Sequence, residues 1–61
     1  MERLTQFIAC TSEEYGLLFS EIRDLPNWEI TPHRSDSCHL TFPACEAYRL
    51  FYIGFRVGLQ S

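Results

Sequence analysis

Four side chains of the types that bind zinc lie within one short span of the chain: His33, Cys38, His39 and Cys45. Structural zinc is usually held by four nitrogen and sulfur ligands arranged as a tetrahedron. The span contains no C-x-x-C pair, and Cys38 and His39, as neighbours on a strand, would point to opposite faces. We therefore expect no metal ligand and no cofactor here. A zinc-stabilised interaction module is kept only as an alternative.

The same cysteines raise the question of nucleophilic chemistry, which requires a thiolate beside a base. Cys38 or Cys45 could pair with a histidine, but no glycine-rich loop accompanies them, and so small a chain has little room for a cleft. We expect no catalytic residue and no enzyme activity. The chain has three cysteines, an odd number with no visible pairing framework. This indicates free thiols in a reducing cytoplasm.

Three of these residues, His33, Cys38 and His39, fall in residues 25–43, where two apolar-polar alternations predict two strands of a β-hairpin. The turn formers HRSDS separate them and predict a loop of about five residues. Burial should select the register that puts both apolar sets on one face. That register pairs Trp28 with Phe42, Ile30 with Leu40, and Pro32 with Cys38.

The segment before the hairpin has two interpretations. Apolar residues from Leu4 to Leu25 recur at spacings of four and three, which predicts one amphipathic helix. The motif TSEE instead predicts a capping box, with Thr11 as N-cap and Glu14 reaching back to it. The helix would then start near Ser12, after a short strand or extended arm over residues 4–10. Both interpretations place a helix over residues 12–24, and the state of residues 4–10 stays open.

Residues 43–59 predict a second helix, with Pro43 in its first turn and Gly58 at its C-terminal end. This helix carries two apolar faces. One contains Ala44, Ala47, Tyr48, Phe51 and Phe55, and the other contains Leu50, Ile53 and Val57. A helix that is apolar most of the way round needs cover on two sides. We expect a second copy of the chain to cover one side. The candidate dimer-interface residues are Leu50, Ile53, Phe55 and Val57.

The predicted fold class is therefore α+β, with a helix, a β-hairpin and a helix in one small domain over residues 1–61. The alternative is β-α-β-β-α, with an N-terminal strand. Of the 61 residues, 46% are hydrophobic, whereas a domain of this size buries only about 60% of its unfolded surface. This imbalance also favours a homodimer.

Charge and hydropathy narrow the classes of partner. The net charge is -3, and all five basic residues are arginines, so the chain lacks the basic patch typical of nucleic-acid binders. A nucleic-acid-binding regulator remains an alternative, and it would need Arg23, Arg34, Arg49 and Arg56 to converge across a dimer. No uncharged apolar run is long enough to span a membrane, and we expect no membrane partner.

Two long stretches, CTSEEYGLLFSEIRDLPNWEITPH and LTFPACEAYRLFYIGFRVG, resemble the small early proteins of lambdoid bacteriophages that are encoded between the exonuclease and excisionase genes. The resemblance implies a phage protein made early in the host cytoplasm. That region is associated with the choice between lysis and lysogeny and with altered host physiology. The resulting hypothesis is a non-enzymatic regulator that acts as a homodimer on a host or phage protein.

Overall fold

The chain forms a β-α-β-β-α arrangement in a computed structural model that describes residues 2–58. The elements are β1 (Arg3–Ala9), α1 (Ser12–Ile22), β2 (Glu29–Arg34), β3 (Ser37–Pro43), a 3-10 turn (Ala44–Glu46) and α2 (Arg49–Val57). The predicted α+β class is confirmed. The observed version is the alternative with an N-terminal strand.

The break between β1 and α1 lies at the capping box. The Thr11 hydroxyl accepts a 3.1 Å hydrogen bond from the Glu14 backbone N–H, and the Glu14 carboxylate accepts a 2.8 Å bond from the Thr11 N–H. Thr11 has extended backbone angles, with φ -75° and ψ 172°. A residue in this conformation cannot continue a helix. A single helix running from Leu4 is therefore wrong, and residues 3–9 are strand.

The sheet has the order β1-β3-β2, with both pairings antiparallel. The predicted hairpin register is confirmed, because Ile30 lies opposite Leu40 and Pro32 opposite Cys38. Trp28 immediately precedes β2, and its ring stacks on Phe42 with 4.9 Å between the centroids. The apolar alternation of both hairpin strands thus faces a single side of the sheet.

The hairpin loop is shorter than predicted. Arg34 pairs with Ser37, so only Ser35 and Asp36 form the turn. The register shifts between Pro32 and Arg34, which makes His33 the extra residue of a bulge. A bulge allows both strands to continue pairing beyond it. Three of the five residues expected in the loop, His33, Arg34 and Ser37, therefore belong to the strands.

The start of the last helix was also predicted wrongly. Pro43 ends β3, where it pairs with Arg3, and its φ of -66° and ψ of 134° are extended. The next residue continues the link to the N-terminal strand, since the Ala44 N–H donates a 2.9 Å hydrogen bond to the Glu2 carbonyl. The chain then makes the 3-10 turn, and α2 begins only at Arg49.

The core lies between one face of the sheet and the two helices. Its buried members are Cys10, Leu18, Ile22, Trp28, Cys38, Leu40, Phe42 and Ile53. The central strand β3 contributes Cys38, Leu40 and Phe42, because a strand with a neighbour on each side is the most completely covered. The other face of the sheet carries Phe7, His33 and His39 in edge-on or tilted ring contacts.

Candidate functional site: an exposed aromatic face on the C-terminal helix

The N-terminal end of α2 is attached to the hairpin through Glu46. One carboxylate oxygen of Glu46 accepts hydrogen bonds from the Trp28 indole N–H at 3.1 Å and from the Arg49 Nε–H at 3.0 Å. Trp28 is itself buried. The buried ring and the shared carboxylate therefore set where α2 starts and how it is rotated about its axis.

The C-terminal end of α2 is held against α1. Arg56 Nε lies 3.5 Å from Glu21 Oε1. Gly58 has φ 83° and donates its N–H to the Gly54 carbonyl at 2.9 Å. A left-handed glycine of this kind is a common helix terminus, which is the role predicted for Gly58.

One apolar face of α2 points into the core of the single chain. Ile53 is 5% exposed, and Leu50 and Val57 are partly buried and packed against the core. Of the four dimer-interface candidates, Ile53 is a core residue, Leu50 and Val57 are partly buried against the core, and Phe55 lies on the open side.

The open side of α2, together with its N-cap residue Tyr48, carries four aromatic rings. Their exposed fractions are 58% for Tyr48, 87% for Phe51, 67% for Tyr52 and 87% for Phe55. We call these four residues the aromatic face. They line one shallow apolar groove. At about 150–250 Å² per buried aromatic ring, they present roughly 500 Å² of surface. A patch of that size is at the upper end for a monomer and is often functional.

The charged side chains beside the aromatic face are paired within the chain. Arg49 contacts Glu46, and its guanidinium carbon lies 5.4 Å from the centroid of the Tyr48 ring. Arg56 contacts Glu21. Both arginines remain solvated, so these pairs contribute little to stability. Their effect is to leave the aromatic face close to electrically neutral.

Comparison with protein-family models, curated proteins and solved structures finds no match. Over the described residues, neither helix has the length and hydrophobicity needed to cross a membrane. The function must therefore be argued from the surface of this chain itself.

The structure does not bring together the four zinc-type side chains. Cys38 is fully buried in the core, whereas His33 and His39 lie on the other face of the sheet with 5.0 Å between their ring centroids. Cys45 is exposed in the 3-10 turn. Within residues 2–58, no group of three or more potential ligands converges on one point.

The four arginines that a nucleic-acid surface would need are spread over three elements or their ends. Arg23 caps the C-terminal end of α1, Arg34 ends β2, and Arg49 and Arg56 lie on α2. Arg23, like the two on α2, has a carboxylate of its own chain within 4 Å. Their charge is thus partly compensated locally.

Sequence reasoning identified the aromatic face only in part. It grouped Tyr48, Phe51 and Phe55 on one face of the helix and assigned Tyr52 to neither face. Three of its four interface candidates, Leu50, Ile53 and Val57, belong to the other apolar face. The signal was available, because residues 48, 51, 52 and 55 have the spacing of one side of a helix. Which of the two apolar sides faces outward depends on the contacts of Glu46.

Proposed function

We propose that this chain is a small, non-enzymatic protein-binding module that forms a homodimer through the aromatic face. The observation that carries the proposal is the exposure of four aromatic rings on one side of the last helix, three within its nine residues and one at its N-cap, Tyr48. Leaving a ring of this size in water forgoes about 1.5–3 kcal/mol relative to burial. Tyrosine is also among the residues most enriched at the energetic centres of protein interfaces.

A second copy of the chain fits this surface well. The face is apolar and its flanking charges are paired internally, so a partner needs no opposite charge, and an identical surface is complementary to it across a twofold axis. Two faces of roughly 500 Å² each approach the lower end of the area buried in specific interfaces, about 1,200 Å². We expect a dimer that exchanges with monomer at micromolar concentration.

The resemblance to lambdoid phage early proteins supports a regulatory role for the dimer in the host cytoplasm. On this proposal the dimer binds a host or phage protein and influences phage development or host physiology. The homodimer contact uses α2 and leaves the exposed face of the sheet available for the second partner.

The dimer is tested by sedimentation or light scattering over a dilution series of the unmodified protein, of Phe55→Glu and of Phe19→Glu. Phe55→Glu places a carboxylate within the aromatic face, at the position nearest the C-terminal end of α2. Phe19→Glu is the matched control, because Phe19 is 51% exposed and lies on α1. We expect dimer for the unmodified protein and for Phe19→Glu, and a monomer with unchanged circular dichroism for Phe55→Glu.

Two results would contradict the proposal. One is an unmodified protein that is monomeric at every concentration. The other is a Phe55→Glu variant that dimerises as well as Phe19→Glu, which would place the interface elsewhere.

A further inference from the structure

Two buried thiols face each other at the junction of β1, α1 and β3. The Sγ atoms of Cys10 and Cys38 are 3.5 Å apart. Cys10 is 5% exposed, and Cys38 is fully buried. The strand pairing brings them together, because Ile8 lies opposite Cys38 and Cys10, two residues further along, projects to the same face.

The two thiols differ in their access to solvent. Cys10 lines a surface opening together with Arg34, Ser37 and the first residues of α1. Ser37 is buried, and within the described residues its hydroxyl has no hydrogen-bond partner. That hydroxyl is available to a group entering the opening.

Cys38 lies deeper than Cys10 and has no exposed surface. Burial, together with the neighbouring Cys10 thiol, raises the pKa of Cys38 to about 12. A thiol in this state reacts poorly with reagents from solution. It is nevertheless already in van der Waals contact with the Cys10 sulfur. Cys10 is thus suited to be the thiol that meets an oxidant, and Cys38 the thiol that completes the reaction.

We propose that Cys10 and Cys38 form a redox-modifiable dithiol that closes to an intramolecular disulfide by exchange with a low-molecular-weight disulfide. The Cys10 thiolate attacks one sulfur of the small disulfide, the S–S bond of that molecule breaks, and a small thiolate leaves. The Cys38 sulfur then attacks the Cys10 sulfur of the mixed disulfide and releases the second small thiolate. The two cysteine protons pass to the two released thiolates. The chain loses two electrons and the small disulfide gains them.

Closure requires only a local movement. The sulfur atoms must approach from 3.5 Å to about 2.05 Å, the length of a disulfide bond. Cys10 lies between the last residue of β1 and the N-cap Thr11, a connection that can shift without moving the central strand. The bond would tie the start of α1 to β3 and restrict the unfolded chain, so the oxidised protein should melt at a higher temperature.

The test uses the folded Cys45→Ser chain, from which the exposed thiol has been removed. The chain is equilibrated with glutathione disulfide and glutathione at a series of ratios, quenched with acid, alkylated in denaturant and weighed by intact mass spectrometry. We expect both thiols to be lost together, with a mass decrease of two hydrogens and no bound glutathione. Dithiothreitol should reverse the change, and thermal unfolding should shift upward on oxidation.

Two further variants in the Cys45→Ser background assign the roles. Cys38→Ser should accumulate a mixed disulfide with glutathione at Cys10, whereas Cys10→Ser should keep Cys38 reduced over the same ratios. Circular dichroism checks that each variant is folded. If Cys38→Ser or Cys10→Ser fails to fold, the measurement on the Cys45→Ser chain alone still tests disulfide formation. The proposal is overturned if folded Cys45→Ser keeps both thiols alkylatable at ratios that oxidise the same chain in urea. It also fails if Cys10 acquires glutathione and never closes onto Cys38.

Discussion

At the scale of single residues, Trp28 connects three parts of the fold. Its ring stacks on Phe42 in β3, its indole N–H donates to Glu46 just before α2, and its backbone leads directly into β2. Its ring is therefore packed in the core, and its one polar group is hydrogen-bonded. This explains how a tryptophan can be 7% exposed without leaving its N–H unpaired.

We expect Trp28→Ala to lower the free energy of unfolding by about 3–5 kcal/mol, the usual cost of truncating a buried large aromatic. In a domain this small, such a loss is enough to unfold a large fraction of the molecules. Urea denaturation measures it. Trp28→Phe is the matched control and should lose less, because it keeps the stacking on Phe42. A Trp28→Ala variant of unchanged stability would show that Trp28 is not a core residue.

Because the Cys38 thiol is buried, we expect the free energy of unfolding to fall at alkaline pH. Its thiol has an ordinary pKa of 9.0 in the unfolded chain, and burial raises the pKa to about 12 in the folded protein. Above pH 9 the unfolded chain therefore loses this proton first, and the stability that the neutral buried thiol contributes declines as pH rises towards 12. Unfolding free energies measured across this range should decline for the Cys45→Ser chain. A matching chain with Cys38→Ala should show a shallower decline, and equal slopes would contradict the assignment.

At the scale of elements, the capping box decides where α1 begins. Leu4 and Ile8 have helical spacing relative to Thr11, yet they lie in β1. Positions four residues apart share a face in a strand as well as in a helix. The apolar pattern of this segment is therefore compatible with either state. The reciprocal Thr11 and Glu14 hydrogen bonds resolve the ambiguity, since they require an extended residue at position 11.

We expect Thr11→Ala to lower the free energy of unfolding by about 1 kcal/mol, the typical cost of removing an N-cap side chain. The lost acceptor leaves the Glu14 N–H without its partner at the first turn of α1. Urea denaturation, with helix content from circular dichroism, measures the effect. Ser12→Ala is the control, because Ser12 is exposed and lies just inside the helix. Equal costs for the two substitutions would indicate that the capping box is not formed in solution.

At the scale of the whole molecule, α2 has two apolar faces, and the core of one chain is large enough to bury only one of them. The core accepts Leu50, Ile53 and Val57, and the aromatic face remains outside. This is the arrangement expected when a chain of 61 residues is too small to enclose all of its apolar surface. Association of two copies would complete the burial.

For a homodimer, we expect the midpoint of thermal unfolding to rise with protein concentration, because dissociation accompanies unfolding. Phe55→Glu should abolish this dependence, whereas Phe19→Glu should retain it. Melting curves recorded by circular dichroism at low and high micromolar concentration provide the comparison. A midpoint that is independent of concentration in the unmodified protein would contradict dimerisation in this range.

Sequence patterns alone predicted the hairpin register, a capping box at Thr11 and two apolar faces on the last helix, but they left residues 4–10 open between strand and helix. Each of these follows from a short-range rule. Strand alternation excludes a slip of one residue, which would turn Ile30 or Leu40 away from the buried face, and the TSEE motif specifies its own hydrogen bonds. Such features depend on residues that are near in the chain or directly paired.

Three other features cannot be predicted from local patterns: β1 joins the sheet beside β3, Pro43 ends a strand, and one particular face of α2 is buried. These outcomes depend on contacts between distant segments. The pairing of Arg3 with Pro43 keeps that proline extended, and the bond from Trp28 to Glu46 sets the rotation of α2. Both faces of α2 are apolar, so helical periodicity cannot rank them. The choice is made by the direction in which the chain leaves the sheet, which turns Ile53 inward and Phe55 into solvent.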